Sequence, residues 1–255
     1  MAQKEKEGQE LRGFRKNNNS NDILSSYLRT HPEAKWKDDF RNEVSAEELN
    51  AIYDEIYTDQ KGICAYCEIT LKWPTDAFTN DFRVEHFHPE NCGDDNRHNY
   101  SLDWNNLLGC CHGGTQQTAR SYSNKSFGKH NHSCDAPKAN KILDDVILNP
   151  LLDLPVDKTF FSFNEDGNIS VSTNCPENMR NKAQSTINEL NLDCDRLCEF
   201  RKTIIDKLRE EIESEVNDVE DADALERITL QLRQELLSSI NRNEFHSTID
   251  WYLAV

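Results

Sequence analysis

Cys64-Ala65-Tyr66-Cys67 sets two thiols two residues apart, the spacing with which a tight turn brings two sulfurs to one zinc ion. The other half of a tetrahedral site must come from further along the chain, and Cys110, Cys111 and Cys134 are the candidates. A site built from Cys64, Cys67, Cys111 and Cys134 would staple the two ends of the segment between them. Within that segment, Arg83-Val84-Glu85-His86-Phe87-His88-Pro89-Glu90 crowds two histidines and two carboxylates into six positions. A carboxylate suits a hard divalent cation such as Mg²⁺, and a neutral imidazole near pH 7 suits general-base work on water. Cys175, Cys194 and Cys198 lie in or beside helical patterns and read as small buried hydrophobes.

These groups need elements to position them. Ser45-Ala46-Glu47-Glu48 reads as a capped helix start, followed by Leu49, Ile52, Tyr53 and Ile56 at helical spacing. That helix delivers the chain to Gly62, after which "GICAYCEITLKWPTD" looks like a knuckle and a short strand. Residues 82–87 read as a second strand. Glu85 and His86, as neighbours on it, point to opposite faces unless the strand ends or bulges there. Beyond Asn149-Pro150, "KTFFSFNEDGNISVS" is a hairpin signal. From about Glu177 the pattern turns helical, with Leu197, Phe200, Ile204, Ile205, Leu208 and Ile212 on one face; a second helix carries Leu225, Ile228, Leu232, Leu236 and Ile240. The polar start, including "NNNSND", reads as a poorly ordered arm with a loop or helix-start signal. The expected division is an arm over 1–35, a core over 36–150, and a hairpin with helices over 151–255.

With 255 residues and 36% hydrophobic content, the chain can bury at least one core. It carries no apolar run near the roughly 18 residues of a membrane span and no signal peptide at its start, so a soluble, cytoplasmic protein is expected. Nine cysteines, an odd number, argue for bound metal over a disulfide framework. A net charge of −17 argues against broad adhesion to nucleic acid. From Cys110 to Lys141, however, five basic residues (Arg120, Lys125, Lys129, Lys138, Lys141) meet one acid, Asp135, with His112, His130 and His132 among them. The acidic stretch "REEIESEVNDVEDADALE" reads as a solvated face with a loop.

Taken in order, Cys-x-x-Cys at 64–67, Glu85-His86, Asn106-Leu107, Cys111 and Cys134-Asp135-x-x-Lys138 resemble the zinc-stapled branch of the HNH nucleases, with their ββα-metal motif. The resemblance implies that His86 is the general base and Glu85 a catalytic-metal ligand, while Asn106 braces the loop and the base. Where the family has a His or Asn after the last zinc cysteine, this chain has Asp135, a competent oxygen ligand for Mg²⁺. An alternative register ends the motif at Cys111-His112, which leaves His112 as a rival to Asp135; Cys110 likewise rivals Cys111 for zinc. Lys125, Lys129 and Lys138 are expected to contact substrate backbone, and His88, His130 and His132 to be loop histidines near phosphate.

The longer series "GICAYCE", "VEHFHPE", "YSLDWNNLLGCC", "CDAPKANK", "ILNPL" and "TINELNLDCDRLCEFR" is similar to the HNH subunit of Septu antiphage systems, also found beside some retrons. This likeness implies an α+β protein with a ββα-metal core, a structural four-cysteine zinc site and a mainly helical C-terminal region. It further implies a nuclease effector using Mg²⁺ or another divalent cation on nucleic acid, DNA before RNA, under the control of an ABC-type ATPase. A non-catalytic zinc adaptor for such an ATPase is the competing expectation. Convergence of Glu85, His86 and Asp135 separates the two.

Overall fold

The computed structural model describes residues 13–73, 81–90, 98–116, 127–154, 160–217, 224–238 and 242–254. Within them helices enclose two small antiparallel sheets, an α+β arrangement. No described helix is long and apolar enough to cross a membrane.

Within 13–35 the chain contributes side chains to the main core. The "NNNSND" stretch is a helix start: Asn21 caps α1 (Asp22–Thr30), accepting from the amides of Ile23 and Leu24. Phe14 and Leu24 are buried in the main core, and Asn17 bonds Asp59 through backbone and side chain. The polar composition of this stretch concealed those two apolar anchors. A π-helical turn over Trp36–Phe40 runs into the short α2 (Arg41–Glu43). The longer α3 (Ala46–Asp59) begins on the expected capping box, Ser45 with Glu48.

The knuckle closes on itself through a bridge between Ile63 and Thr70, and a second isolated bridge joins Lys72 to Asp81; among the described residues here these bridges do not extend into a strand. β1 (Arg83–His86) pairs antiparallel with β2 (Leu107–Cys110), placing Glu85 opposite Leu108 and His86 opposite Leu107. All four residues of β2 are buried; a run this short carries no alternation from which a strand can be read. Helix α3 packs across β2 at Gly109, where an added Cβ would lie 2.9 Å from Phe82 and 3.1 Å from Ile56. The Gln60 side chain completes that contact, accepting from the Gly109 amide at 2.6 Å and donating to its carbonyl at 2.9 Å. One turn of helix, α4 (Asp135–Lys138), lies against β1.

The expected hairpin forms as β3 (Phe161–Phe163) and β4 (Ile169–Val171). Helices α5 (Arg180–Glu189), α6 (Asp195–Asn217) and α7 (Ala224–Leu237) follow, and Ile240 lies outside the described residues. A last helix, α8 (His246–Tyr252), follows Phe245, which has a left-handed φ of 54°. Leu208, Ile212, Ile228, Leu232 and Ile249 form a second apolar cluster between α6, α7 and α8. The C-terminal part is joined to the knuckle: Ser247 bonds Glu68 with its amide and hydroxyl, and Phe245 belongs to the main core.

Candidate active site and metal centre

Cys64, Cys67, Cys111 and Cys134 bring four buried sulfurs within 4.8 Å of one another, a group that could hold a metal ion. The separations of Cys64 to Cys134 (3.9 Å), Cys67 to Cys111 (3.6 Å) and Cys111 to Cys134 (3.7 Å) match the edge of a tetrahedron with 2.3 Å zinc–sulfur bonds, about 3.8 Å. Four thiolates around a divalent cation leave a net charge of about −2. Arg196 lies beside them, held by Ser133 Oγ at 2.6 Å and raised in pKa by the Cys111, Cys67 and Cys134 sulfurs against its burial. Burial opposes ionisation of Cys64, but sulfur contacts led by Cys110 hold its thiol well below the ordinary value. The Cys111 amide points at Cys64 Sγ, 3.4 Å away. The donor set, the spacing and the charge balance all fit zinc.

Two backbone devices close the staple. Gly113, at φ +60°, lies so near Ser133 that an added Cβ would sit 2.2 Å from its carbonyl, and the Ser133 amide donates to Gly113 O at 2.9 Å. Cys134 itself has φ +64° and donates its amide to Leu190 O at the end of α5. Ala139, past α4, is also left-handed at 48°. The single turn of α4 is thus held between two non-glycine residues in a conformation that costs on the order of 1–3 kcal/mol each.

Cys110 is a fifth sulfur. It lies 3.6 Å from Cys64 Sγ and 3.7 Å from Asp135 Oδ1, between the sulfur cluster and the carboxylates. The expected choice of Cys111 over Cys110 agrees with the four mutually close sulfurs.

Glu85 and Asp135 come together from β1 and α4. Glu85 Oε1 pairs with Lys138 Nζ at 2.8 Å and accepts from the Tyr66 hydroxyl at 3.4 Å. Asp135 Oδ1 pairs with Arg83. Burial first, then the Glu85 carboxylate, push Asp135 up to about 7, against the pull of Arg83. Each carboxylate therefore spends one oxygen on a resident cation, and Oε2 and Oδ2 take no hydrogen bond among the described residues. Two neighbouring acids, one of them raised in proton affinity by the charge of the other and each with an oxygen to spare, are a donor set for a hard divalent cation.

His86 ends β1. Its Nε2 lies 2.9 Å from Ser101 O, so Nε2 carries the proton and Nδ1 is left as the accepting nitrogen. Burial lowers its pKa below the ordinary imidazole value, which keeps it neutral near pH 7. Ser101 is itself held, accepting from the Trp36 amide at 2.6 Å and donating to Glu90 at 2.8 Å; the Trp36 ring stands edge-on to the imidazole, with centroids 6.0 Å apart. Asn106 braces the loop between the strands: its carbonyl oxygen accepts from the His88 amide, and its amide donates to His88 O and Tyr100 O.

Several expected roles are placed differently. Lys138 is fully buried, its ammonium shared between Glu85 and the His86 carbonyl at 3.0 Å, which makes it a support beneath the carboxylates and not a surface contact for substrate. His88, in the bend after β1, is also buried, stacked on Tyr100 and 2.9 Å from Asp144. His112 donates its amide to Asp81, while Asp135 is close enough to feel the Glu85 charge. Lys129 is exposed, and Lys125 lies outside the described residues. The sequence alone assigns no role to Arg83, Tyr66 or Arg196, and Glu90 counts there only as a carboxylate near the histidines. Arg83 had a signal, standing two positions before Glu85 and so on the same face of the strand; Arg196 had none.

No family model matches the sequence. An Escherichia coli protein named "Retron Ec83 putative HNH endonuclease" is 31% identical over 203 residues, covering 72% of this chain and 75% of that one. The aligned length takes in most of both proteins, and on that ground the chain belongs to the HNH endonuclease family and is a nuclease, a hydrolase of nucleic-acid phosphodiester bonds.

Proposed function

We propose that Glu85, His86, Asn106 and Asp135 form the cutting site, in a ββα-metal core made of β1, β2 and α4 and stapled by zinc on Cys64, Cys67, Cys111 and Cys134. The observation that carries this reading is the carboxylate pair, with one unbonded oxygen on each acid, beside an imidazole fixed through Nε2. Glu85 and Asp135 would hold Mg²⁺ or another divalent cation, which when bound supplies charge stabilisation for the scissile phosphate and the departing oxygen. His86 Nδ1 takes the proton from the attacking water, while the Ser101 carbonyl stabilises the resulting imidazolium through Nε2–H. Asn106 fixes the loop over His88 to Tyr100 and with it the frame of the base. Lys138 and Arg83 orient the two acids. Lys129 and Lys125 serve the substrate backbone.

The region over 36–150 is read as the nuclease core and 151–255 as the part available for docking. The relative's name places it with a retron, and with the Septu-like motif series this supports an antiphage role under an ABC-type ATPase, with DNA as the first substrate to test. The test is cleavage of DNA and RNA substrates with Mg²⁺, with and without the ATPase. His86→Ala should abolish cutting while zinc content and fold survive; cutting by that variant at the wild-type rate overturns the assignment.

A further inference from the structure

An open cleft of about 430 Å³ runs along α4 on the side of Ala136 and Pro137, next to the residue that carries the second carboxylate. It is also lined by Lys129, His130 and His132 from the loop before α4 and by Lys141, Asn188 and Asn191. In a chain of net charge −17 this concentration of donors is local. Glu189, the one acid in the lining among the described residues, is paired with Lys141 at 2.8 Å, and Asp195 stands 3.9 Å from the exposed His130 ring.

The loop bearing these groups is fixed from beneath, while its side chains face outward. Asn191, in a left-handed conformation at φ 49°, donates its amide to the carbonyls of both His130 (2.8 Å) and His132 (2.9 Å). Asn131 is buried, accepting from the Arg196 amide with its side chain and from Arg196 Nε with its carbonyl. The same arginine that balances the sulfur cluster therefore sets the loop. A segment tied down this way loses little further freedom on binding, which favours affinity.

We propose that this cleft binds the sugar–phosphate backbone of the substrate strand to one side of the scissile bond. Lys129 and Lys141 supply charge, and His130, His132 and Asn188 supply further hydrogen-bonding groups. The proposal rests on the nuclease reading of the adjoining carboxylates and adds where the strand lies. Among the described residues the lining has the donors that phosphate requires and no Phe, Tyr or Trp on which a base could stack, which favours contact to backbone without sequence preference.

The test is binding of a fluorescein-labelled DNA oligonucleotide to the full zinc-loaded chain carrying His86→Ala, or His86→Gln should alanine prevent folding, across a salt series. Each lost phosphate contact lowers the slope of log affinity against log salt by about one, so Lys129→Ala with Lys141→Ala should lower it by about two. Lys202→Ala with Lys207→Ala on α6 should leave it unchanged. An unchanged slope in the cleft variant overturns the proposal and leaves the nuclease reading standing, because that reading is judged by cutting in the wild-type chain. Binding of labelled oligoglutamate with no binding of the oligonucleotide also overturns it, and makes the cleft a seat for an acidic protein.

Discussion

The sulfur cluster and the carboxylate pair share one small sheet and one turn of helix, yet they handle buried negative charge in opposite ways. Four sulfurs face one another around a common centre, and Arg196 stands outside them. Their geometry is complete only with an ion in the middle. The carboxylates each have a cation from the protein, Lys138 for Glu85 and Arg83 for Asp135, and keep one oxygen open. The first arrangement suits a metal that stays. The second suits one that is exchanged, because the acids remain compensated without it. The difference is that a structural site is closed by its own ligands, whereas a working site is left open at the positions where chemistry occurs.

Breaking the first side of that contrast should have the largest effect. Structural zinc is worth roughly 10 kcal/mol or more in small zinc-bound units, so Cys67→Ser or chelation should remove cooperative unfolding of the core along with all cutting. Thermal melts with zinc stoichiometry check this. On the working side, His86→Ala should cost about 10²–10⁴-fold in cutting, the usual contribution of a general base, with the melting transition and zinc content retained.

Lys138 tests whether the resident cations stabilise the acids. Lys138→Met leaves the buried Glu85 carboxylate alone, a loss on the order of 3–5 kcal/mol measurable by denaturant unfolding. Adding Glu85→Gln should restore most of that stability and none of the cutting.

A gentler probe is pH. Asp135 holds its proton up to about 7 in the folded chain and gives it up near about 4 when unfolded. The native state binds more protons across that window, so without a divalent cation this group's contribution to stability falls as pH rises from about 4 to about 7. Over the same window cation binding should strengthen, since the ion and the proton compete. Calorimetric Mn²⁺ titrations at several pH values should show this in the wild type, and Asp135→Asn should lack it. The smallest effect lies outside both sites: Ser45→Ala, which removes the cap of α3, should cost about 1 kcal/mol and leave cutting unchanged.

The legible parts of the molecule were those with local signals. Ser45 with Glu48 marked a helix start, the turn at 164–168 marked a hairpin, and the four zinc candidates were spaced as ligands. What stayed hidden depends on distant segments meeting. β2 is four buried residues with no alternation, visible only beside β1. Lys138 looked like a surface lysine because its burial arises from Glu85 and His86, some fifty positions earlier. Phe14 and Leu24 were lost among asparagines.

The order in which the staple's ligands occur along the chain also bears on how the protein is made. The last of them, Cys134, comes about seventy residues after the first, and Asp135 and Lys138 follow it directly. A ribosome that has released the knuckle, the base and both strands has still not released the second carboxylate or the lysine beneath the first. On the proposed assignment the nascent chain lacks its cutting face until α4 has emerged, and zinc on the four sulfurs would then fix that face in place.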